Sequence, residues 1–290
     1  LKIKVYTSKG YMMVCVRPTA VAGHFYSNAS DALKNDLQHY FGQVDQLDVV
    51  YPKQTKAVIA PHAGYRYSGF CAAVAYQAFC QPMSSKPIKR VVLLGPAHRV
   101  GFEGAGLCSA DYWETPLGAI RVDMDACKQL IKFSTCRFID QAHQMEHCLE
   151  VHLPFIQHLF PEASIVPILI SQADFSMVAQ ILEHFWNDED TRIIISSDLS
   201  HYNPLNLAKK IDLETADAIE HFKTEKLNGK AACGFKPIGG LLQLAQTNKF
   251  DVTRLYLCNS GDIHTSKPPD FEQMPVVGYG AWAISPAKTV

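Results

Sequence analysis

Four runs of apolar, largely β-branched residues constrain this chain more than anything else in it: KAVIA at 56–60, RVVLLG at 90–95, SIVPILI at 164–170 and RIIISSD at 192–198. Each run is continuous, whereas a strand with one wet face alternates apolar and polar residues. All four therefore read as strands covered on both faces, the interior of a largely parallel sheet. Helical patterns fall around them at 69–80, 124–133, 145–160 (with Pro154 as a kink or restart), 175–186 and 205–222. Two late β candidates, DVTRLYLCNS at 251–260 and PVVGYGAWAIS at 275–285, follow. That order predicts an α/β fold, a single domain over residues 17–290 with a central, largely parallel sheet flanked by helices. Residues 1–16 read either as an N-terminal extension or as an edge hairpin around Ser8-Lys9-Gly10.

With 48% hydrophobic and 19% charged residues in 290, the chain has the material for a sizeable core. Its 27 basic and 28 acidic residues are interspersed, which leaves no basic face to neutralise phosphates and sets nucleic acid aside as a partner. No apolar stretch approaches the roughly 20 residues that cross a bilayer, and residues 1–16 lack a signal-peptide core. The expectation is a cytoplasmic protein with no membrane partner. Nine cysteines without CxxC or CxxxC pairs, in a chain too long to need disulfide staples, are expected mostly as free core thiols.

Three predicted strands end alike. VIA runs into Pro61-His62, VLLG into Pro96-Ala97-His98, and IISSD into Leu199-Ser200-His201. The carboxy-terminal ends of parallel strands lie along one sheet edge, where open α/β folds place their sites, so these three imidazoles are expected as neighbours. Imidazole is the commonest metal ligand and also titrates near neutrality, so the trio suits metal binding, proton transfer or both.

Asp198, three residues before His201, is placed to orient that ring. Cys233 sits just before a predicted helix start at Pro237, where the helix dipole favours thiolate, and Gly234 allows an unusual backbone angle. The alternative for Cys233 is an inert buried thiol. In QMEHCLEVHLPF, helical spacing would put Glu146 and Glu150 on one face with His147 beside Glu150. Glu146 and His147 then line the pocket as support or as an acid/base pair, or else belong to a solvated helix face.

The ordered motifs RPTAVAGHFY, APHAGYRYSG, LLGPAHR, EHCLEVHLPF, SSDLSHY, CGFKPIGGLL and GYGAWAIS, over residues 17–285, resemble the motif set of the MEMO family. That family is similar in fold to the LigB-type class III extradiol ring-cleaving dioxygenases. The resemblance implies a mononuclear metal held by His62, His98 and Cys233, with Asp198 and His201 in the same pocket. Fe(II) is the metal it points to, and a soft thiolate also accepts Cu(I) and Zn. The dioxygenases use two histidines and a carboxylate, so the thiolate departs from their pattern and is itself oxidisable. A second departure is GHFY where the family commonly reads GSWY, which puts Phe25 in a pocket wall and adds His24 as a titratable ring.

Two functions follow. One is a metal-dependent oxidoreductase acting on a small organic substrate, with His201 exchanging a proton and Asp198 fixing its tautomer. The other is a non-catalytic module that binds a peptide or small anion between Phe25, Tyr26, Tyr65 and Tyr67, with Arg66 as charge partner. A third, metal-free reading makes Cys233 a nucleophile activated by a neighbouring histidine. The expected partner is thus a small-molecule or peptide ligand, and a homo-oligomer stays open.

Overall fold

The computed structural model describes residues 2–7, 10–80, 87–263 and 271–287. In chain order the strands are β1 (Lys2–Thr7), β2 (Gly10–Arg17), β3 (Ala57–Ala60), β4 (Arg90–Pro96), β5 (Ala105–Leu107), β6 (Tyr112–Trp113), β7 (Ile120–Arg121), β8 (Cys136–Phe138), β9 (Ser164–Ile170), β10 (Thr191–Ser196), β11 (His201–Pro204), β12 (Phe250–Asn259) and β13 (Pro275–Pro286). The helices are α1 (Ser30–Val44), α2 (Tyr65–Gln77), α3 (Met124–Leu130), α4 (Asp140–Gln144), α5 (Leu153–Leu159), α6 (Phe175–Trp186), α7 (Leu205–Glu220) and α8 (Phe235–Thr247).

The main sheet has the order β11-β13-β3-β10-β4-β9-β5-β8, with β12 also paired to β13. Its interior strands β3, β10, β4 and β9 are the four continuous apolar runs, and every seam between them is parallel. Antiparallel β13 closes one side against β3, and β5 closes the other against β9. The fold is α/β with a largely parallel centre, because residues such as Ile193, Ile194 and Ile195 must lose water on both faces and do so completely. Strand β10 follows β9 in sequence yet lies between β3 and β4.

Helix α2 packs on β3, β12 and β13 with α1 beyond it, and α8 packs on β4 and β10 with α6 beyond it. Helix α6 forms where its 3.6-residue periodicity predicts, burying Val178, Ile181, Leu182 and Phe185. Each such side chain contributes about 1.5–3 kcal/mol on leaving water. Asp174 caps it by accepting the Met177 N–H at 2.7 Å.

Three expectations change. The helix predicted over 145–160 does not form as one unit: α4 ends at Gln144, a 3₁₀ turn spans Glu150–His152, and α5 restarts at Leu153 with Pro154 in its first turn. The helix predicted from Gly69 begins four residues earlier, at Tyr65, directly after His62-Ala63-Gly64. His201, expected in a loop, opens β11, which pairs antiparallel with β13. Strands β1 and β2 pair as a hairpin and join β6 and β7 in a small second sheet; the turn residues Ser8 and Lys9 lie outside the described residues. All nine cysteines are free, and Cys71, Cys108, Cys127, Cys136 and Cys148 are buried. Among the described residues no helix is long and apolar enough to cross a membrane.

Candidate metal centre and its pocket

Two residues beyond the end of β3 stands His62, two beyond β4 stands His98, and two beyond the intervening β10 stands Asp198. The third strand end thus brings a carboxylate, not the imidazole of His201, between the two histidines. The His62 and His98 rings lie 5.2 Å apart and edge-on. Their ligand atoms, with those of His147, lie within 4.8 Å of one another.

The tautomers of both strand-end histidines follow from their neighbours. Ser196 Oγ donates its one hydrogen to the Cys148 carbonyl at 2.7 Å, so toward His62 Nδ1, at 2.6 Å, it acts as acceptor. His62 therefore carries its proton on Nδ1 and a lone pair on Nε2. Burial, and then the nearby His98 and His147, keep this ring from taking a second proton, well below the ordinary histidine range. His98 Nδ1 lies 2.9 Å from Glu146 Oε1, and Glu146 Oε2 accepts the His98 backbone N–H at 2.7 Å. A buried carboxylate on Nδ1 aims the opposite nitrogen outward, the support usual behind a metal-bound histidine.

Glu146 explains why the helix over 145–160 breaks. Its Oε1 also accepts the backbone N–H groups of His147 and Cys148 at 3.0 and 3.2 Å, amides that a continuous helix would have spent on carbonyls. Burial alone would raise the Glu146 carboxyl, but His147 and His98 outweigh it and hold it well below the usual carboxylate range. His147 stacks on His98 at 4.9 Å and lies 5.4 Å from His62. Its Nδ1 comes within 3.2 Å of Glu146 Oε1 but out of line for a hydrogen bond, which leaves that nitrogen without a partner. Gly95, at the end of β4, allows this segment to approach: a Cβ there would stand 2.7 Å from Cys148 Sγ.

Cys233 Sγ is 3.3 Å from His62 Nε2. With the ring proton on Nδ1, the thiol is the donor in this contact. Burial and then the Asp198 carboxylate push the thiol up to about 12, so the helix end does not produce a free thiolate. One three-donor set within 4.8 Å is all imidazole, with His147 as third member, and a second joins His98 to Glu146 and Cys148, while Cys233 reaches the first group through His62. Gly234 has an ordinary backbone angle; it is needed for space, since a Cβ would meet Ser196 O and Ser197 Cβ at 2.6 Å.

Asp198 does not hold the His201 ring. Its Oδ1 accepts the His62 backbone N–H at 2.8 Å and its Oδ2 lies 3.9 Å from His62 Nε2. Burial pushes its carboxyl upward in spite of that N–H and the surrounding imidazoles. The Ser200-His201 backbone is held instead by Asp212, whose Oδ1 accepts the Ser200 N–H at 3.0 Å.

His62, His98, His147 and Asp198 floor a cavity of about 690 Å³, walled by Phe25, Tyr67, His201, Tyr202 and Tyr279, with Arg99 also lining it; Cys233 lies behind His62 and is not among its lining residues. Phe25 lies 5.0 Å from the His147 ring and is fixed by Glu150, which accepts from Arg17, the Ala20 and Val21 N–H groups and the Tyr26 hydroxyl. Glu146 and Glu150 thus hold different parts of the site, His98 and the 20–26 segment, and lie in no common α-helix. Of the aromatic walls expected, Tyr26 and Tyr65 turn inward, the latter donating to Val151 O at 2.7 Å, and Arg66 does not line the cavity. His24 stays on the exposed surface. Sequence reasoning missed Arg99, although it directly follows His98, and Ser196, whose signal was only its place at the end of β10.

Comparison with known proteins agrees with this geometry. Residues 17–281 match the family model described as Memo-like protein. A MEMO1 family protein of Aquifex aeolicus is 35% identical over 77% of this chain and 83% of its own length. MEMO1 family proteins of Aeropyrum pernix and Metallosphaera sedula are 33% and 31% identical over 92% and 93% of this chain, and 98% and 99% of theirs. A match over most of both partners, including every segment that builds the pocket, means that this chain belongs to the Memo family.

Proposed function

We propose that the pocket binds a single metal ion through His62, His98 and Cys233 and carries out redox chemistry on a small organic substrate. The observation behind this reading is the pair of imidazoles whose Nδ1 atoms are each held by an acceptor, Ser196 for His62 and Glu146 for His98. Neutral, oriented imidazoles suit a borderline cation, and the Cys233 thiol, which would give up its proton on binding, would add a soft ligand that suits Fe(II), Cu(I) or Zn. A redox-active ion bound here supplies electron exchange with the substrate. The chain supplies the rest. Phe25 and Tyr67 exclude water from the ligand. Glu146 and Ser196 keep the donor nitrogens aimed. His201 lines the cavity with no hydrogen bond to its ring among the described residues, so it is free to take a substrate proton and return it.

The test is metal analysis of the chain purified without chelator, then oxygen uptake with catechols. About one metal per chain is expected, lost in Cys233→Ser and kept in His147→Ala; the reverse pattern would make the ligand set all imidazole. With metal retained, His201→Ala should lower turnover by roughly 10²- to 10⁴-fold. Ligand binding without oxygen uptake or other turnover would leave the pocket a recognition site and end the redox reading.

A further inference from the structure

We propose that Cys71 and Cys258 are a thiol pair that a hydroperoxide converts to a disulfide, clamping α2 onto the β12–β13 ribbon. The pair stands outside the metal-ligand set, and the proposal holds whether or not the pocket carries an ion.

The first observation is contact. Helix α2 packs directly on β12 and β13, and its Phe70 ring meets Tyr256 of β12 edge-on at 5.3 Å. Cys71 follows Phe70 on the helix, and strand alternation puts Cys258 on the same side of β12 as Tyr256. The two thiols come within hydrogen-bonding reach of each other across this seam. Both are free.

The second observation is unequal exposure. Cys71 is 1% exposed, whereas Cys258 is only half-buried and lines a second cavity, of about 330 Å³, with Lys209, Asp212 and Asp262. A thiol serving only as a small core hydrophobe needs no such opening. One accessible sulfur with another behind it is the arrangement that captures a first oxidation as a disulfide. Burial, and then Cys258 beside it, push the Cys71 thiol up, which leaves Cys258 to meet the oxidant.

The chemistry balances in two steps. The Cys258 sulfur attacks one peroxide oxygen, the O–O bond breaks, and sulfenic acid and the first water form. The Cys71 sulfur then displaces that hydroxyl: an S–S bond forms, and the hydroxyl leaves with the Cys71 proton as the second water. Two sulfurs lose two electrons to one peroxide. The consequence is structural. Cys71 lies in the second turn of α2, after Tyr67 in the first, and Cys258 pairs in register with Tyr279. Both tyrosines line the main cavity, so the bond fixes the spacing of two wall residues and closes a long loop of chain.

The experiment treats the reduced full chain with hydrogen peroxide, with and without a chelator, then alkylates it and maps non-reduced peptides by mass spectrometry. A peptide joining Cys71 to Cys258 is expected in both samples, with the intact chain lighter by two hydrogens and restored by dithiothreitol. In Cys71→Ala the oxidation should stop at Cys258 as a sulfenic acid that dimedone captures. Cys258→Ser, a change at a half-buried position, should leave Cys71 unoxidised. The oxidised parent should unfold at a higher urea midpoint than the reduced one. A first disulfide that omits either residue, oxidation of Cys71 in Cys258→Ser, or no dimedone adduct in Cys71→Ala overturns the proposal. Equal urea midpoints for the two forms overturn the clamp.

Discussion

The two edges of the parallel sheet carry titratable side chains in the same places and handle them in opposite ways. At the amino-terminal edge stand Lys56, just before β3, Arg90, opening β4, and Arg192, the second residue of β10. Arg90 is bridged to Asp123 and Asp188 at 2.8 and 3.0 Å. Lys56 Nζ donates to the carbonyls of Asp188 and Thr191, and Arg192 Nη1 to those of Glu189 and Thr191. Nearly every donor there meets an acceptor from the protein itself, Arg192 Nε being the exception. At the carboxy-terminal edge the partners lie behind the rings, at Ser196 and Glu146; His98 Nε2 meets no hydrogen-bond partner among the described residues, and the buried His147 Nδ1 is also left without one. Burial and charge are common to both edges. What separates a scaffold from a site is whether the last acceptor or donor is missing.

The largest effect is expected from His98→Ala, which removes an outward nitrogen: metal affinity should fall at least 100-fold, on the order of a lost ligand rather than a lost support, measured by competition with a chromogenic chelator. Glu146→Gln keeps the ligand but weakens its support, and should cost about 10- to 100-fold in metal affinity. If Glu146→Gln binds metal as the parent does, the backing of His98 is irrelevant and the contrast between edges fails. Arg90→Ala tests the opposite edge. It should destabilise the fold by about 1–2 kcal/mol, discounted for the partial exposure of its bridges, read as a lower midpoint in urea, with metal affinity unchanged. The last effect is one of pH and concerns Lys56, whose ammonium is lowered by burial, and by Arg192 beside it, to about 8 from 10.5. The charged form is then costly in the folded state below about pH 8, and that cost fades as pH rises toward 10.5. Relative to Lys56→Met, the parent should gain up to about 3 kcal/mol across that window, and parallel stability curves for the two would refute it.

Much of this was legible from residue order because the signals were local. Continuous apolar runs have one structural use at this length, and a histidine two residues past such a strand has few places to go, so β3, β4, His62 and His98 could be placed. The segment at 145–160 could not, since what breaks that helix is a set of amides drawn to Glu146 by the need to hold His98, a contact between residues 48 positions apart. The role given to Asp198 failed for a similar reason. Nearness in sequence to His201 suggested one partner, while the parallel seam between β3 and β10 delivered another, His62. Tyr26 and Tyr65 gave no sign in their own surroundings that Glu150 and the Val151 carbonyl would draw their hydroxyls inward.

The placement of β10 also sets a clock. Until the chain beyond residue 190 has been made, β3 and β4 have no strand between them, and neither Ser196 nor Asp198 can touch His62. A polypeptide emerging amino terminus first therefore carries His62, His98 and His147 for a long interval as loose imidazoles. Cys233 arrives later still. On the reading proposed above, metal loading would be a late event in the life of each molecule, one that follows closure of the sheet and reports that it has closed correctly.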